Sequence, residues 1–319
     1  MTEPLLAVRD LCVDYITGTG PVRAVDRVSL TLRRGEILGI AGESGSGKST
    51  LAQALLRILP PPAVISGGEV RFEGRDVLAL TEAELRALRW QRISMVFQSA
   101  MDSLNPVIPV GEQIVDTLLA HRAASGQEAW KRAAELLEMV GIPGHRVRSY
   151  AHELSGGMRQ RVGIALALAL EPALVILDEP TTALDVIVEK EILQQIRALQ
   201  RKLGFSVLFI THDLARMLQF SDRVAIFYAA RLVEVGPADA LRRMPRHPYT
   251  QGLLRAFPTV HGDPAHLEGI PGAPPSLLDP PEGCRFHPRC PQAVDICRRS
   301  EPPLRQLATD HEAACHLAE

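Results

Sequence analysis

The chain has no long uninterrupted apolar run. Its most apolar stretch, residues 162–177 ("VGIALALALEPALVIL"), is cut by Glu171 and Pro172. Neither half approaches the roughly 20 apolar residues that a membrane-spanning helix needs. Nor is there a basic excess: the formal net charge is -2 over 319 residues, with charged side chains spread along the length. Proteins that hold DNA or RNA concentrate Lys and Arg on one face, so nucleic acid is not the expected partner. The opening residues, "MTEPLLAVRD", lack the basic region and apolar stretch of a secretory signal. Cysteine is scarce too, at five residues, and does not read as the disulfide framework of a secreted scaffold. These absences predict a soluble or membrane-peripheral protein of the cytosol, long enough for more than one lobe.

Residues 1 to about 245 alternate short β-rich runs with helical patterns. "EILGIAG" (36–42), "ALVILDE" (173–179) and "FSVLFITHD" (205–213) are buried-strand candidates, each followed by a helical segment. Strand, loop, helix, repeated, predicts an α/β fold with a parallel sheet and helices on its faces. Before it, "LLAVRDLCVDYI" and "VRAVDRVSLTL" alternate like strands of an antiparallel sheet. "TEAELRALRW", "VGEQIVDTLLAHRA" and "QEAWKRAAELLEMVG" read as helices, the last two within a helical insert over about 99–155. From about 246 the character changes: the last 74 residues hold 12 of the 24 prolines. "IPGAPPSLLDPPEG" continues neither a helix nor a central strand. Residues 246–319 are expected to be a loop-rich extension without a core of its own.

"GESGSGKST", Gly42 to Thr50, fits G-x-x-x-x-G-K-[ST]. Gly42, Gly45 and Gly47 let the backbone turn so that N–H groups, those of Ser44 and its neighbours among them, face phosphate oxygens. The helix starting near Lys48 adds its positive end, Lys48 reaches the outer phosphates, and the Ser49 hydroxyl suits Mg²⁺. "LVILDE" then supplies a strand ending in Asp178, suited to hold Mg²⁺, and Glu179, suited to orient an attacking water. In "LSGGMRQRVGIALALAL", Ser155 is a good helix N-cap, and Gly156 and Gly157 admit a ligand to the backbone. That is a second anion site, useful when it closes on a nucleotide held by another subunit. The hypothesis is a head-to-tail pair of ATPase domains with ATP between them.

In this order the motifs resemble the ATP-binding subunits of ABC transporters. Gly42–Thr50 match the Walker A motif, "LSGGMRQR" the signature motif, "LVILDEP" Walker B, and "TALD", ending in Asp185, the D-loop. Gln98 in "MVFQSA" matches the Q-loop glutamine, and His212 in "ITHD" the switch histidine. Tyr15 sits where the family places an adenine-stacking aromatic; by itself, an aromatic in a strand is more often packing. The resemblance implies a P-loop NTPase (RecA-like) core with an antiparallel β subdomain and a helical insert. It implies Glu179 as the catalytic carboxylate, His212 on the γ-phosphate, and Gln98 on the Mg²⁺ or the water. "SLNPVIPVGEQI", "RHPYTQGLL" and "IPGAPPSLLDPPEGCRFHPRCPQA" narrow the resemblance to the importers of oligopeptides, dipeptides and nickel. That branch implies an ATPase on the cytoplasmic side of the membrane, docked under two permease subunits. It pairs with a second ATPase subunit, itself or a paralogue, and an external solute-binding protein feeds the pathway.

Cys284, Cys290, Cys297 and Cys315 follow the spacing C-x5-C-x6-C-x17-C, without the C-x2-C pairs of common zinc folds. Four thiolates complete either an iron–sulfur cluster or a zinc site, and unliganded thiols are the third reading. A proline-rich segment with no core needs a staple, which metal supplies. The resemblance implies a [4Fe–4S] cluster, with Zn²⁺ the alternative and His287, His311 and His316 as possible substitute ligands. Cys12, in a strand-like run, reads as a small core residue.

Overall fold

The computed structural model describes residues 3–98, 103–182, 184–256 and 269–318. The chain divides into two compact units, Met1–Leu78 with Phe209–Glu319, and Ala79–Leu208.

The first unit opens with an antiparallel sheet. Strand β1 (Leu6–Thr17) pairs on one side with β2 (Gly20–Leu32). The alternation read from the sequence holds along Arg27–Leu32 of β2, whereas in β1 register shifts bury four consecutive residues, Leu11 to Asp14. After β3 (Ile37–Ala41) and helix α1 (Lys48–Leu55), strand β4 (Ala63–Phe72) pairs with the other side of β1, and β5 (Arg75–Asp76) pairs with β4. In the sequence β4 carries no continuous strand pattern, because Gly67 and Gly68 interrupt it. Here the glycines accommodate a bulge: the register shifts between Arg9 and Cys12, Gly68 has φ +94°, and a β-carbon on it would meet the Leu11 backbone at 2.5 Å.

The second unit begins with α2 (Glu82–Leu88), whose Thr81 and Glu84 form a capping box. Strand β6 (Ile93–Val96) runs parallel to β7 (Leu174–Asp178), and every residue of both is buried. Between them α3 (Val110–Ala120) packs against α4 (Gly126–Met139), with Val110, Ile114 and Leu118 buried on the first and Ala129, Ala133, Leu136 and Leu137 on the second. Helices α5 (Gly156–Leu168) and α6 (Val186–Leu203) flank β7 in the chain. Strand β8 (Ser206–Ile210) crosses the division between the units.

The chain re-enters the first unit through α7 (Leu214–Phe220) and β9 (Arg223–Tyr228), which lies parallel to β3. Strand β10 (Arg231–Pro237) returns antiparallel to β9 and is followed by α8 (Ala238–Arg243) and α9 (Pro248–Arg255).

The C-terminal extension differs from the coreless loop expected of it. After a short α10 (Asp295–Arg299), β11 (Arg305–Ala308) and β12 (His311–Ala313) form a hairpin, and β12 pairs antiparallel with β10. Ala313, Cys315 and Ala318 pack together with Leu307. Phe286, only 2% exposed, meets the rings of Tyr228 at 5.2 Å, Tyr249 at 5.4 Å and His247 at 5.7 Å. The fully buried Glu234 accepts from the N–H groups of Arg246 and His247 and pairs with His311 Nε2 at 2.8 Å. A segment too poor in apolar residues for its own core thus shares that of the unit it closes.

Candidate functional site

In the first unit, β3 delivers the chain into the turn Gly42–Gly47, and α1 starts at Lys48. Gly47 is the helix N-cap at φ +104°, and a β-carbon there would lie 2.0 Å from the Ala24 carbonyl oxygen, so position 47 takes only glycine. The buried Lys48 ammonium donates to the carbonyls of Gly42 at 2.9 Å and Glu43 at 2.8 Å. It is thereby folded back over the loop at a helix start, where backbone N–H groups favour an anion. Ser44 and Gly45 are exposed, and Ser49 and Thr50 half-buried. The Tyr15 hydroxyl stands 3.3 Å from Thr50 Oγ1, which brings β1 to the edge of the loop. Thr211 donates its N–H to the Ile40 carbonyl, setting the exposed His212 beyond the end of β3.

In the second unit, β7 ends in the buried Asp178, and Glu179 follows at φ +46°. That left-handed backbone is uncommon for a non-glycine residue. Gln98 Nε2 donates to Glu179 Oε2 at 2.9 Å, and the Thr182 hydroxyl donates to the same oxygen at 3.1 Å. Two motifs 81 residues apart therefore meet at one carboxylate. Ser155 caps α5 by accepting from the Met158 N–H. Gly157 backs onto Val188, whose methyl lies 2.7 Å from where a β-carbon would stand. Asp185 caps α6 through the N–H groups of Ile187 and Val188, both at 3.0 Å. Ser99 and Ala100 after Gln98, and Ala183 of the D-loop match, lie outside the described residues. Ser49, Gln98 and Asp178 all offer oxygen donors, the chemistry that a hard cation such as Mg²⁺ prefers.

The extension requires a correction. An iron–sulfur cluster was expected on Cys284, Cys290, Cys297 and Cys315, with zinc as the alternative. The four side chains do line one cavity, but its volume is about 10 Å³, room for a single water at most. Among the described residues, no group of three or more His, Cys, Asp or Glu side chains is placed to hold a metal ion. Burial pushes the Cys284 thiol up to about 11 and raises those of Cys290 and Cys315. The histidines are engaged elsewhere: His311 on Glu234, His316 on the Ser300 carbonyl, His287 on the Cys284 carbonyl. The expectation drew on the cysteine clustering, on the resemblance and on the lack of a core; the shared core removes the last of these.

The sequence reading also missed a contact. Arg289 of the extension forms a two-pronged ion pair with Glu43 of the phosphate loop, at 2.8 and 3.0 Å. Tyr249, fully buried in α9, accepts the Glu43 N–H at 3.1 Å.

Comparison with known proteins agrees with this arrangement. A family model described as ABC transporter matches residues 25–182, and one described as the C-terminal region of oligopeptide/dipeptide transporters matches residues 233–297. The oligopeptide transport ATP-binding protein OppD of Bacillus subtilis is 47% identical over 311 residues, 96% of this chain and 87% of that protein. The chain belongs to the ATP-binding subunits of the oligopeptide/dipeptide ABC transporters. The dipeptide transport ATP-binding protein DppD of Caldanaerobacter subterraneus is 43% identical over 99% of this chain and 97% of its own length. Among solved structures, the dimeric ATP-binding cassette MJ0796 with ADP and phosphate bound superposes with a TM-score of 0.66 at 30% identity. That match covers 73% of this chain and 98% of that one. The fold is thus that of a P-loop NTPase, and the enzyme class is an ATPase coupled to transport, using ATP with Mg²⁺ as ABC ATPases do. Among the described residues, no helix is long and apolar enough to cross a membrane.

Proposed function

We propose that this subunit hydrolyses ATP to drive import of oligopeptides or dipeptides. It would work from the cytoplasmic face of the membrane, docked under two permease subunits and paired head-to-tail with a second ATPase subunit, itself or a paralogue. An external solute-binding protein would load the permeases, and nucleic acid has no part. The peptide reading draws on the C-terminal match at 233–297 and on relatives named for peptide transport.

The observation that carries the catalytic reading is the Glu179 carboxylate, held by Gln98 and Thr182 at the end of a buried strand. In this reading Glu179 orients the attacking water, His212 contacts the γ-phosphate, and Lys48 neutralises charge on the outer phosphates. The backbone from Gly42 through Ser44, Gly45 and Gly47 to Thr50 cradles the phosphates, and Tyr15 faces the adenine. Ser49, Gln98 and Asp178 would hold Mg²⁺, which supplies charge neutralisation on the phosphate oxygens when bound. Ser155, Gly156, Gly157 and Asp185 would complete the partner's nucleotide site. ATP closes the pair and switches the permeases; hydrolysis reopens it.

Glu179→Gln tests the carboxylate. Hydrolysis is expected to fall about 10²-fold or more with ATP binding retained, because the amide cannot take the proton from water. An ATPase rate equal to the parental one would overturn the assignment. Uptake by the assembled transporter tests the solute: peptide import supports the reading, and nickel import in its place would overturn it.

A further inference from the structure

Glu43 lies inside the phosphate loop, yet the residues that hold it come from the far end of the chain. Its carboxylate receives both terminal nitrogens of Arg289. Its N–H is accepted by the Tyr249 hydroxyl, and its carbonyl accepts from the Lys48 ammonium at 2.8 Å. Side chain, donor and acceptor of one loop residue are thus all engaged.

Arg289 is itself fixed. Its side chain is 6% exposed. Nε donates to the Pro271 carbonyl at 2.8 Å, Nη1 also reaches the Tyr228 hydroxyl at 3.4 Å, and Nη2 also reaches the Gly272 carbonyl at 3.3 Å. Five contacts match the five N–H donors of a guanidinium, a pattern that an ammonium with three donors does not reproduce. The guanidinium also lies over the Tyr228 ring, 5.8 Å from its centre. An exposed ion pair adds little, but a buried two-pronged one with every donor used defines a position.

We propose that Arg289 is a positioning residue for the nucleotide site, and that through Glu43 the C-terminal extension sets the shape of the phosphate loop and the seat of Lys48. This rests on the reading of Gly42–Thr50 as the ATP site. The extension, present here beside the shared ATPase core, is on this account part of the nucleotide-binding apparatus. Loss of the fork frees the Glu43 side chain and leaves that residue held through its backbone, by the Tyr249 hydroxyl, the Lys48 ammonium and the Ser46 N–H. The expected consequence is weaker ATP binding rather than slower chemistry, since the pair acts on the loop that seats the phosphates, whereas the catalytic reading places the chemistry at Glu179.

The test uses the full-length chain in four forms: parental, Arg289→Lys, Glu43→Gln and the double substitution. Affinity is measured with a trinitrophenyl ATP analogue, KM and kcat with MgATP, and folding by thermal melting without nucleotide. Each single substitution is expected to raise KM and the analogue's Kd about tenfold. Its kcat should stay within about twofold. The double substitution should be no worse than the poorer single one, because the two side chains act as one unit. Unchanged KM in both single variants would overturn the inference. So would losses that add in the double variant, or a loss of affinity matched only to a fall in melting temperature. A variant that does not fold counts by the same rule, and Glu43→Gln, nearly isosteric and on the partly exposed side of the pair, then carries the measurement. Failure of the parental chain to bind the analogue would instead overturn the ATP reading itself.

Discussion

His247 is 1% exposed, caps α9 by accepting the Tyr249 N–H, and packs with its ring tilted against that of Phe286. Burial pushes its pKa down to about 4 from an ordinary 6.5, despite the nearby Glu234 carboxylate and a backbone contact with Ala314. Between pH 6.5 and 4 the unfolded chain takes up a proton that the folded chain refuses, so stability rises with pH across that window. The contribution is complete above 6.5 and declines toward 4, by on the order of 3 kcal/mol. His247→Asn, which keeps the cap, is expected to flatten the melting temperature over this window. A slope equal to the parental one would contradict the assignment. Glu234 acts in a lower window. Burial alone would raise its carboxyl, but His311, Thr250 and the N–H groups of Arg246 and His247 outweigh it and hold it below the ordinary 4.5. Its stabilisation is present above that value and lost as the pH falls through its folded pKa, and it should survive in the His247 variant. The motif residues could be recognised from spacing because a phosphate loop is local: Gly42 to Thr50 are contiguous and fit one short pattern. Glu43 could not, because its partners Tyr249 and Arg289 lie 206 and 246 residues further along the chain.

At the level of elements, periodicity located three amphipathic helices and three apolar strands, but not the equally buried β6, β9 and β10. The helices over Glu82–Leu88, Val110–Ala120 and Gly126–Met139, and the strands Ile37–Ala41, Leu174–Asp178 and Ser206–Ile210, formed where apolar spacing placed them. Strand β4 and the β11–β12 hairpin were missed because neither carries that signal: one is broken by a glycine bulge, the other is too short and too polar. The hairpin forms because β10 offers it an edge and Glu234 offers His311 a charge. Phe286 is the apolar counterpart of that polar docking. Phe286→Ala is expected to cost about 3–5 kcal/mol, as truncation of a buried aromatic does. Thermal melting should show the loss, and protease should cut the segment from 269 to 283 faster; an unchanged melting temperature would mean that the aromatic contact does not hold the extension.

For the whole molecule, the extension belongs to the compact unit that carries the phosphate loop, as the division into Met1–Leu78 with Phe209–Glu319 reflects. Besides Arg289, it reaches that unit through Arg285 on Asp26, Glu301 on Arg27 and Arg231, and Asp310 on Arg33. A chain ending at residue 269 would therefore expose Tyr228 and Tyr249 and strand buried Glu234 without its histidine. Such a chain is expected to melt at lower temperature than the full-length protein and to bind ATP more weakly. Equal melting temperature and ATP affinity would show the extension to be an appendage. The amino-acid sequence by itself determined the nucleotide chemistry, the fold class and the branch of the family, because those depend on contiguous motifs and on apolar period. What the tertiary structure decided was the role of the tail. Its cysteines suggested a metal-stapled loop, whereas long-range packing and ion pairs, which no local pattern encodes, make it a wall of the core and a hold on the phosphate loop.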